Sequence, residues 1–291
     1  MGKTLYLNEN KDVSVTRDGP SLWVVQKGKA GIRVPARRVD RVVISGNVRF
    51  DSGMLTLFTE RGVPITFLNP QGEPTATAMG IRAPDWALRE RQYLLGTTPE
   101  GRLHGENWLR AKKRERRLSL LRKFASASAK KIERKGLTES EYEKALRAIL
   151  PYEPKARDTL RELITGLFFE TVLKIVYDTG LDPHCGIVSR REDFGLVKDL
   201  CGVIEPEISR QVKQFFMSHL KQAVFRDGKK IEALLYKKGG TWKISREGRR
   251  EVISRFENNR ERLITLIEAL VEDMVRMIRE SLYEDKISCV L

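Results

Sequence analysis

Histidine and cysteine are scarce in this chain, three of each in 291 residues. Cys185, Cys201 and Cys289 form no CxxC pair and no even-numbered set. That argues against a disulfide framework or a zinc ribbon and suits a reducing cytoplasm. The histidines (His104, His184 and His219) show no HExxH spacing, and no GxxxxGKS/T loop or GxSxG elbow is present. Zincin, P-loop and α/β-hydrolase chemistry therefore lack their residues. No uncharged apolar run approaches the ~18 residues of a membrane span. The opening MGKTLYLNENKDVSV carries charges within its first twelve residues and no apolar stretch of the signal-peptide kind. We expect a cytoplasmic protein with no membrane partner. Repeats and low-complexity tracts are absent too.

Positive charge is what the chain has in excess. Lys and Arg number 54 against 39 Asp and Glu, a formal +15. Such a surplus favours a polyanionic partner, because each phosphate neutralised releases condensed counterions. Between Arg102 and Lys135 there are thirteen basic residues and three acidic ones, so this stretch supplies most of the surplus. Apolar residues at 41% are enough for a packed interior, and the length suits two domains.

The pattern changes character along the chain. Up to about residue 80 it consists of short runs rich in Val, Ile, Leu and Thr, punctuated by Gly, Asn, Asp and Pro. These are Thr4–Leu7, Val13–Thr16, Ser21–Gln26, Gly31–Val34, Val42–Ile44 and Pro64–Leu68. Met54, Leu55, Leu57 and Phe58 recur near helical spacing, predicting one short helix over 51–61. Asn69–Pro74 is turn chemistry, and residues 81–95 read as a linker. From 96 to 291 the chain reads as helical. A basic helix is predicted over 106–135, with Arg110, Lys113 or Arg114, and Arg117 on one face and Leu118, Leu121 and Ala125 on another. Arg161–Thr179 is apolar all round, the mark of a buried helix, and GLDP at 180–183 stops it. A helix is predicted over 215–225. Gly239-Gly240 fits either a small hairpin or an irregular loop between 228 and 244, Ser245 caps a further helix, and Leu263, Ile267, Leu270, Met274, Ile278 and Leu282 mark a last amphipathic one. The fold class expected is α+β in two domains: a small β-sandwich-like domain (1–80) and a larger all-α domain (96–291).

Three stretches carry a resemblance. The first is VVISGNVRFDSGMLTLFTERGVPITFLNPQGEP at 42–74, with Gly46, Ser52, Gly62, Pro64, Phe67 and Gly72 in place. The second is Arg91-Gln92-Tyr93 followed by WLRAK at 108–112 and LLR at 120–122. The third is GLDPHCG at 180–186, continued by LVKDL at 196–200, Pro206, and WKISREG at 242–248. In this order they resemble the CRISPR-associated endonuclease/integrase family of the spacer-acquisition module. The resemblance implies dimerisation through the β domain and a divalent metal, magnesium or manganese, bound by Glu, His and an acidic residue in the helical domain. It also implies double-stranded DNA as substrate (prespacer and CRISPR repeat), a homodimer, and a small partner protein, Cas two.

Laid over the family motifs, the ligand positions are altered. The family His falls on Ser189 and an acidic position on Gly202, while Asp199 is kept. Glu153 is the closest match to the Glu ligand, and Glu143 a weaker one. Metal binding is therefore expected of Glu153 and Asp199, with Asp199 and His184 as catalytic candidates. A rebuilt site would draw on His184, Asp193, Asp199, Glu205 and Glu170. Arg110, Lys112, Lys113, Arg114 and Arg117 are the DNA-binding candidates. Two readings stand open: an active, metal-dependent integrase of a CRISPR or mobile-element system, or a DNA-binding subunit of the same fold without chemistry of its own.

Overall fold

The structure is a computed structural model that describes residues 3–9, 13–69, 74–80, 85–135, 138–150, 152–225 and 234–280. The chain forms two compact units, 1–84 and 85–291. The residues at 70–73 and 226–233, Cys289 and Leu282 lie outside the described residues.

The first unit contains β1 (Lys3–Asn8), β2 (Val13–Asp18), β3 (Ser21–Gln26), β4 (Ile32–Pro35), β5 (Val39–Ser45), β6 (Arg49–Phe50), α1 (Ser52–Thr59), β7 (Ile65–Leu68) and β8 (Pro74–Ala78). Two four-stranded sheets result, in the orders β1-β5-β7-β8 and β4-β3-β2-β6. Parallel pairing sets Leu7 opposite Ile44 and Val42 opposite Ile65. Val15 and Leu22 of the other sheet join them in a core sealed by Met54, Leu57 and Phe58 of α1. The one-helical-turn spacing of those three residues explains why 52–59 folds as a helix rather than a strand. Its start is set by Asp51. One carboxylate oxygen accepts from the N–H of Met54 at 2.8 Å, and the other from the N–H of Arg17 at 2.9 Å, so one side chain both caps α1 and ties it to β2. Gly19-Pro20 turns β2 into β3, with Gly19 at φ 57° and Asp18 paired with Ser21 across the turn. Two strands had escaped the sequence reading. β6 is two residues long, too short to show a period, and β8 (PTATA) lacks large apolar residues.

The second unit contains α2 (Trp86–Thr97), α3 (Pro99–Phe124), α4 (Ser126–Lys135), α5 (Glu139–Ile149), α6 (Pro154–Asp178), α7 (Gly195–Phe225), the hairpin β9 (Leu235–Lys238) and β10 (Thr241–Ile244), α8 (Arg246–Asn258) and α9 (Arg260–Glu280). Where a linker was expected, Asp85 caps α2 through the N–H of Leu88. The basic segment is two helices rather than one, because Ala125 leaves helical geometry (φ −151°, ψ 59°). α7 begins twenty residues before the helix expected at 215 and runs through Pro206. The lost backbone bond at Pro206 is offset by an apolar face of Val203, Ile204, Ile208, Val212, Phe215 and Phe216, all buried. α6 packs on α7 as the central pair, buried on nearly every side. The hairpin turns at Gly239-Gly240, both at positive φ, and Ser245 accepts from the N–H of Gly248 to open α8.

Phe168 on α6 is fully buried and meets Phe256 of α8 edge to face at 5.3 Å. Phe168→Ala should lower unfolding free energy by about 3–5 kcal/mol, since the cavity adds to the lost transfer term. Chemical denaturation followed by circular dichroism checks this; a loss below about 1 kcal/mol would mean that α6 is not the centre of the helical core.

Candidate functional site

The loop between α6 and α7, residues 179–194, is where the motif residues converge. Its first half is held from α2. Gln92 is 3% exposed. Its amide nitrogen donates to the carbonyls of Asp182 (2.8 Å) and Cys185 (3.0 Å), and its amide oxygen accepts from the N–H of Asp182 at 2.8 Å. Nε of Arg89 donates to the Gly180 carbonyl at 3.1 Å. Sequence reasoning had placed Gln92 in a motif without a role. With 81–95 read as a linker, nothing in the sequence set Gln92 opposite the GLDP loop; the helix Trp86–Thr97 does so in the structure.

The second half is held from α7. Asp199 is 8% exposed. One oxygen accepts from the N–H groups of Ile187 (2.6 Å) and Val188 (2.9 Å), the other from that of Ser189 (3.0 Å). Gly186 and Gly195 let the loop close: a Cβ on either would fall within 3 Å of backbone atoms of the opposite strand of the loop. Phe194 takes a left-handed φ of 56°. Its ring lies 4.4 Å from that of His184, and its N–H donates to Nδ1 of His184 at 3.1 Å. His184 is thus an exposed acceptor for its own loop.

The other ligand candidates are scattered over different duties. Glu153 is exposed at the start of α6 and pairs with Lys237 of the hairpin at 3.6 Å. Glu205 accepts from the Tyr142 hydroxyl (2.8 Å) and from Ser209, and lies 3.6 Å from Arg161. Burial, and next the Glu205 charge, push the Tyr142 phenol up from its ordinary pKa. Glu170 is buried on α6, Asp193 is exposed in the loop, and Glu143 lies on α5. Gly202 contributes no side chain, and a Cβ there would meet nothing within 4 Å. Among the described residues no three His, Cys, Asp or Glu side chains are grouped to hold a metal ion. A hard divalent ion needs several oxygens together. Here Asp199 has its oxygens turned to three amides, Ser189 offers a hydroxyl, and Gly202 offers nothing. The residues present do not fit a magnesium or manganese centre.

The basic face divides. Arg110 is exposed and pairs with Glu106 at 2.9 Å. Lys113 and Arg114 have no ion pair among the described residues. Lys112 is tied to Asp273 of α9 at 2.8 Å, next to the indole N–H of Trp108, which also donates to Asp273. Arg117 requires a correction. Expected on the solvent face, it is 6% exposed, bidentate to Glu139 (2.7 and 2.5 Å) and 4.2 Å from the Tyr142 ring centroid. The helical periodicity held, but that face runs under α5 before it reaches residue 117. The Arg117 hydrogen bond holds the Glu139 carboxyl below its ordinary pKa.

This combination of a two-sheet unit followed by a helical unit that clamps a GLDP loop between two helices defines a two-domain α+β class. Solved structures share it. A CAS1 protein from Thermotoga maritima superposes with a TM-score of 0.75 at 17% identity, over 96% of this chain and 97% of that one. A casposase bound to integration product gives 0.71 at 16% identity, over 95% and 90%. The curated CRISPR-associated endonuclease Cas1 1 of Thermodesulfovibrio yellowstonii (strain ATCC 51303 / DSM 11347 / YP87) is 29% identical over 85 residues, which cover 29% of this chain and about a quarter (27%) of that relative. The family model for CRISPR associated protein Cas1 matches residues 5–163. The chain belongs to the Cas1 family of CRISPR-associated proteins. Among the described residues no helix is long and apolar enough to cross a membrane.

Two outcomes check the site. Asp199→Ala strands three amides and should cost at least about 2 kcal/mol. Manganese should leave the wild-type Tm unchanged, because only a bound ion stabilises the folded state; a manganese-dependent rise that Asp199→Ala abolishes would refute the loop-clamp role. Glu139, with its depressed pKa, contributes stability that is present above the ordinary carboxylate pKa and lost as pH falls through the lowered one. Glu139→Gln should therefore be less stable at neutral pH and show a shallower loss in acid, read from denaturation midpoints across pH.

Proposed function

We propose that this protein is a CRISPR-adaptation protein that holds double-stranded DNA, as prespacer or CRISPR repeat, and leaves phosphodiester chemistry to a paralogue with intact ligands. It does so in the cytoplasm as a homodimer joined through the strand-rich unit and completed by the small Cas two partner. The observation that carries the non-catalytic part is the ligand set. Gly202 has no donor, and Asp199 spends its charge on the loop amides. The family membership supports the adaptation setting, and the casposase of like fold is bound to an integration product. The dimer reading draws on Trp23 and Val25, exposed side by side on one face of β3.

Arg110, Lys113 and Arg114 sit within about one turn of α3, a row suited to consecutive phosphates of one strand. Such contacts set affinity and register rather than sequence preference. Replacing all three by Ala should weaken duplex binding uniformly across sequences. The slope of log affinity against log salt should become shallower by up to about 2.7, at about 0.9 per phosphate contact. Fluorescence anisotropy over a salt series reads both quantities. An unchanged slope would remove this surface from the reading. Strand transfer by the wild-type protein with manganese, matched against an active family member, would overturn its non-catalytic half.

A further inference from the structure

α3, α7 and α9 enclose a cavity of about 210 Å³ that neither the ligand positions nor the Arg110 row uses. Leu120, Val203, Ile204 and Leu266 form apolar walls. The polar lining is unbalanced: Arg116, Lys123, Arg210 and Arg262 face a single carboxylate, Glu207. Arg210 donates to it twice, at 2.6 and 2.8 Å, and Arg262 once, at 2.5 Å, so Glu207 is saturated by two guanidiniums. Arg116 has no ion pair among the described residues, and Lys123 acts on Glu207 only at longer range, without a hydrogen bond to it. Nε of Arg116 is buried without a hydrogen-bond partner. A buried donor left without a partner costs free energy, which an acceptor brought by a ligand would relieve. The cavity has an approach. It shares Arg116, Arg262 and Leu266 with an open groove of about 730 Å³ that runs past Asn258, Asn259 and Thr265.

We propose that this cavity binds the phosphate of a single nucleotide, with Arg116 and Lys123 on the phosphate oxygens and the sugar or base against Leu120, Ile204 and Leu266. Guanidinium and ammonium donors match phosphate acceptors in charge and geometry. The volume lies below the roughly 300–1,000 Å³ of pockets for drug-sized ligands, so one nucleotide unit fills it and a duplex does not enter. Two sources carry this chemistry: a free mononucleotide, and the 5′-phosphorylated end of a DNA strand. The second deepens the proposed DNA-holding function and rests on it.

The test uses the full chain. dAMP binding is measured by calorimetry, and matched duplexes ending in 5′-phosphate or 5′-hydroxyl are compared by anisotropy. A preference of about tenfold for the phosphate end, equivalent to one strong contact, identifies the DNA end as the ligand. dAMP binding without an end preference identifies the free nucleotide. Either signal should fall to background in Arg116→Ala and Lys123→Ala, and also in Leu266→Trp, which fills the cavity and keeps every charge; circular dichroism confirms folding. Absence of both signals overturns the proposal, as does a signal that survives both Lys123→Ala and Leu266→Trp. The hydroxyl-ended duplex reads the proposed function separately. If it still binds while no phosphate preference or dAMP binding is seen, only the cavity fails; if it does not bind, the DNA grip itself fails.

Discussion

Three backbone amides converge on the carboxylate of Asp199, and the geometry of the α6–α7 loop depends on that convergence. Consecutive N–H groups of Ile187, Val188 and Ser189 can point the same way only if the loop curls tightly. The curl forces Gly186 against Gly195, where no side chain would fit. Gln92 fixes the opposite end of the same loop through Asp182 and Cys185. Each charge-assisted bond is stronger than a neutral one, and the site is buried, so water competes poorly. An anion satisfied by three amide dipoles has little left to offer a divalent cation.

Much of this fold is visible in the residues, and what is hidden is hidden for physical reasons. The alternation in β1 to β5 and the one-turn spacing of Met54, Leu57 and Phe58 are local signals, and they place the first unit correctly. The all-round apolar character of α6 likewise announces its burial. By contrast, Pro206 reads as a break, yet α7 continues because tertiary burial outweighs one lost backbone bond. The split at Ala125 leaves no local mark either, since alanine is the best helix former. For the site, ordered motifs identified which residues meet; they did not reveal that Asp199 faces amides or that Arg117 faces Glu139. Those are facts about what lies across the space, and spacing along one helix cannot supply them.

The net charge of +15 overstates the surface available to a polyanion. Arg117 is spent on Glu139, Lys112 on Asp273, and Arg210 with Arg262 on Glu207. These pairs pin α3 to α5 and α9, and α7 to α9. Removing Glu139 would leave the buried Arg117 charge alone, and removing Arg210 would leave the buried Glu207 short of its main partner; the Lys112 pair is more exposed and worth less. On α3, Arg114 and Arg116 have no ion pair among the described residues, while Lys113 and Lys123 act at longer range on Glu139 and Glu207. Counting basic residues finds a candidate polyanion binder; sorting them by partner narrows which cations are left for a ligand.

Position 202 lacks a donor for chemical rather than steric reasons. A side chain there would meet nothing within 4 Å, so there is room for a ligand that glycine does not supply. Several of the groups that the sequence offered as substitutes are committed elsewhere. The Cys201 thiol is wholly buried and pushed up to about 12, so it carries no thiolate near neutral pH. Glu205 is held by Tyr142, Ser209 and Arg161, and Glu153 by Lys237. Restoring a hard-ion site would mean breaking one of these networks as well as adding a carboxylate. Donor substitution at 189 and 202 alone would place two ligands beside an Asp199 that still faces the loop amides.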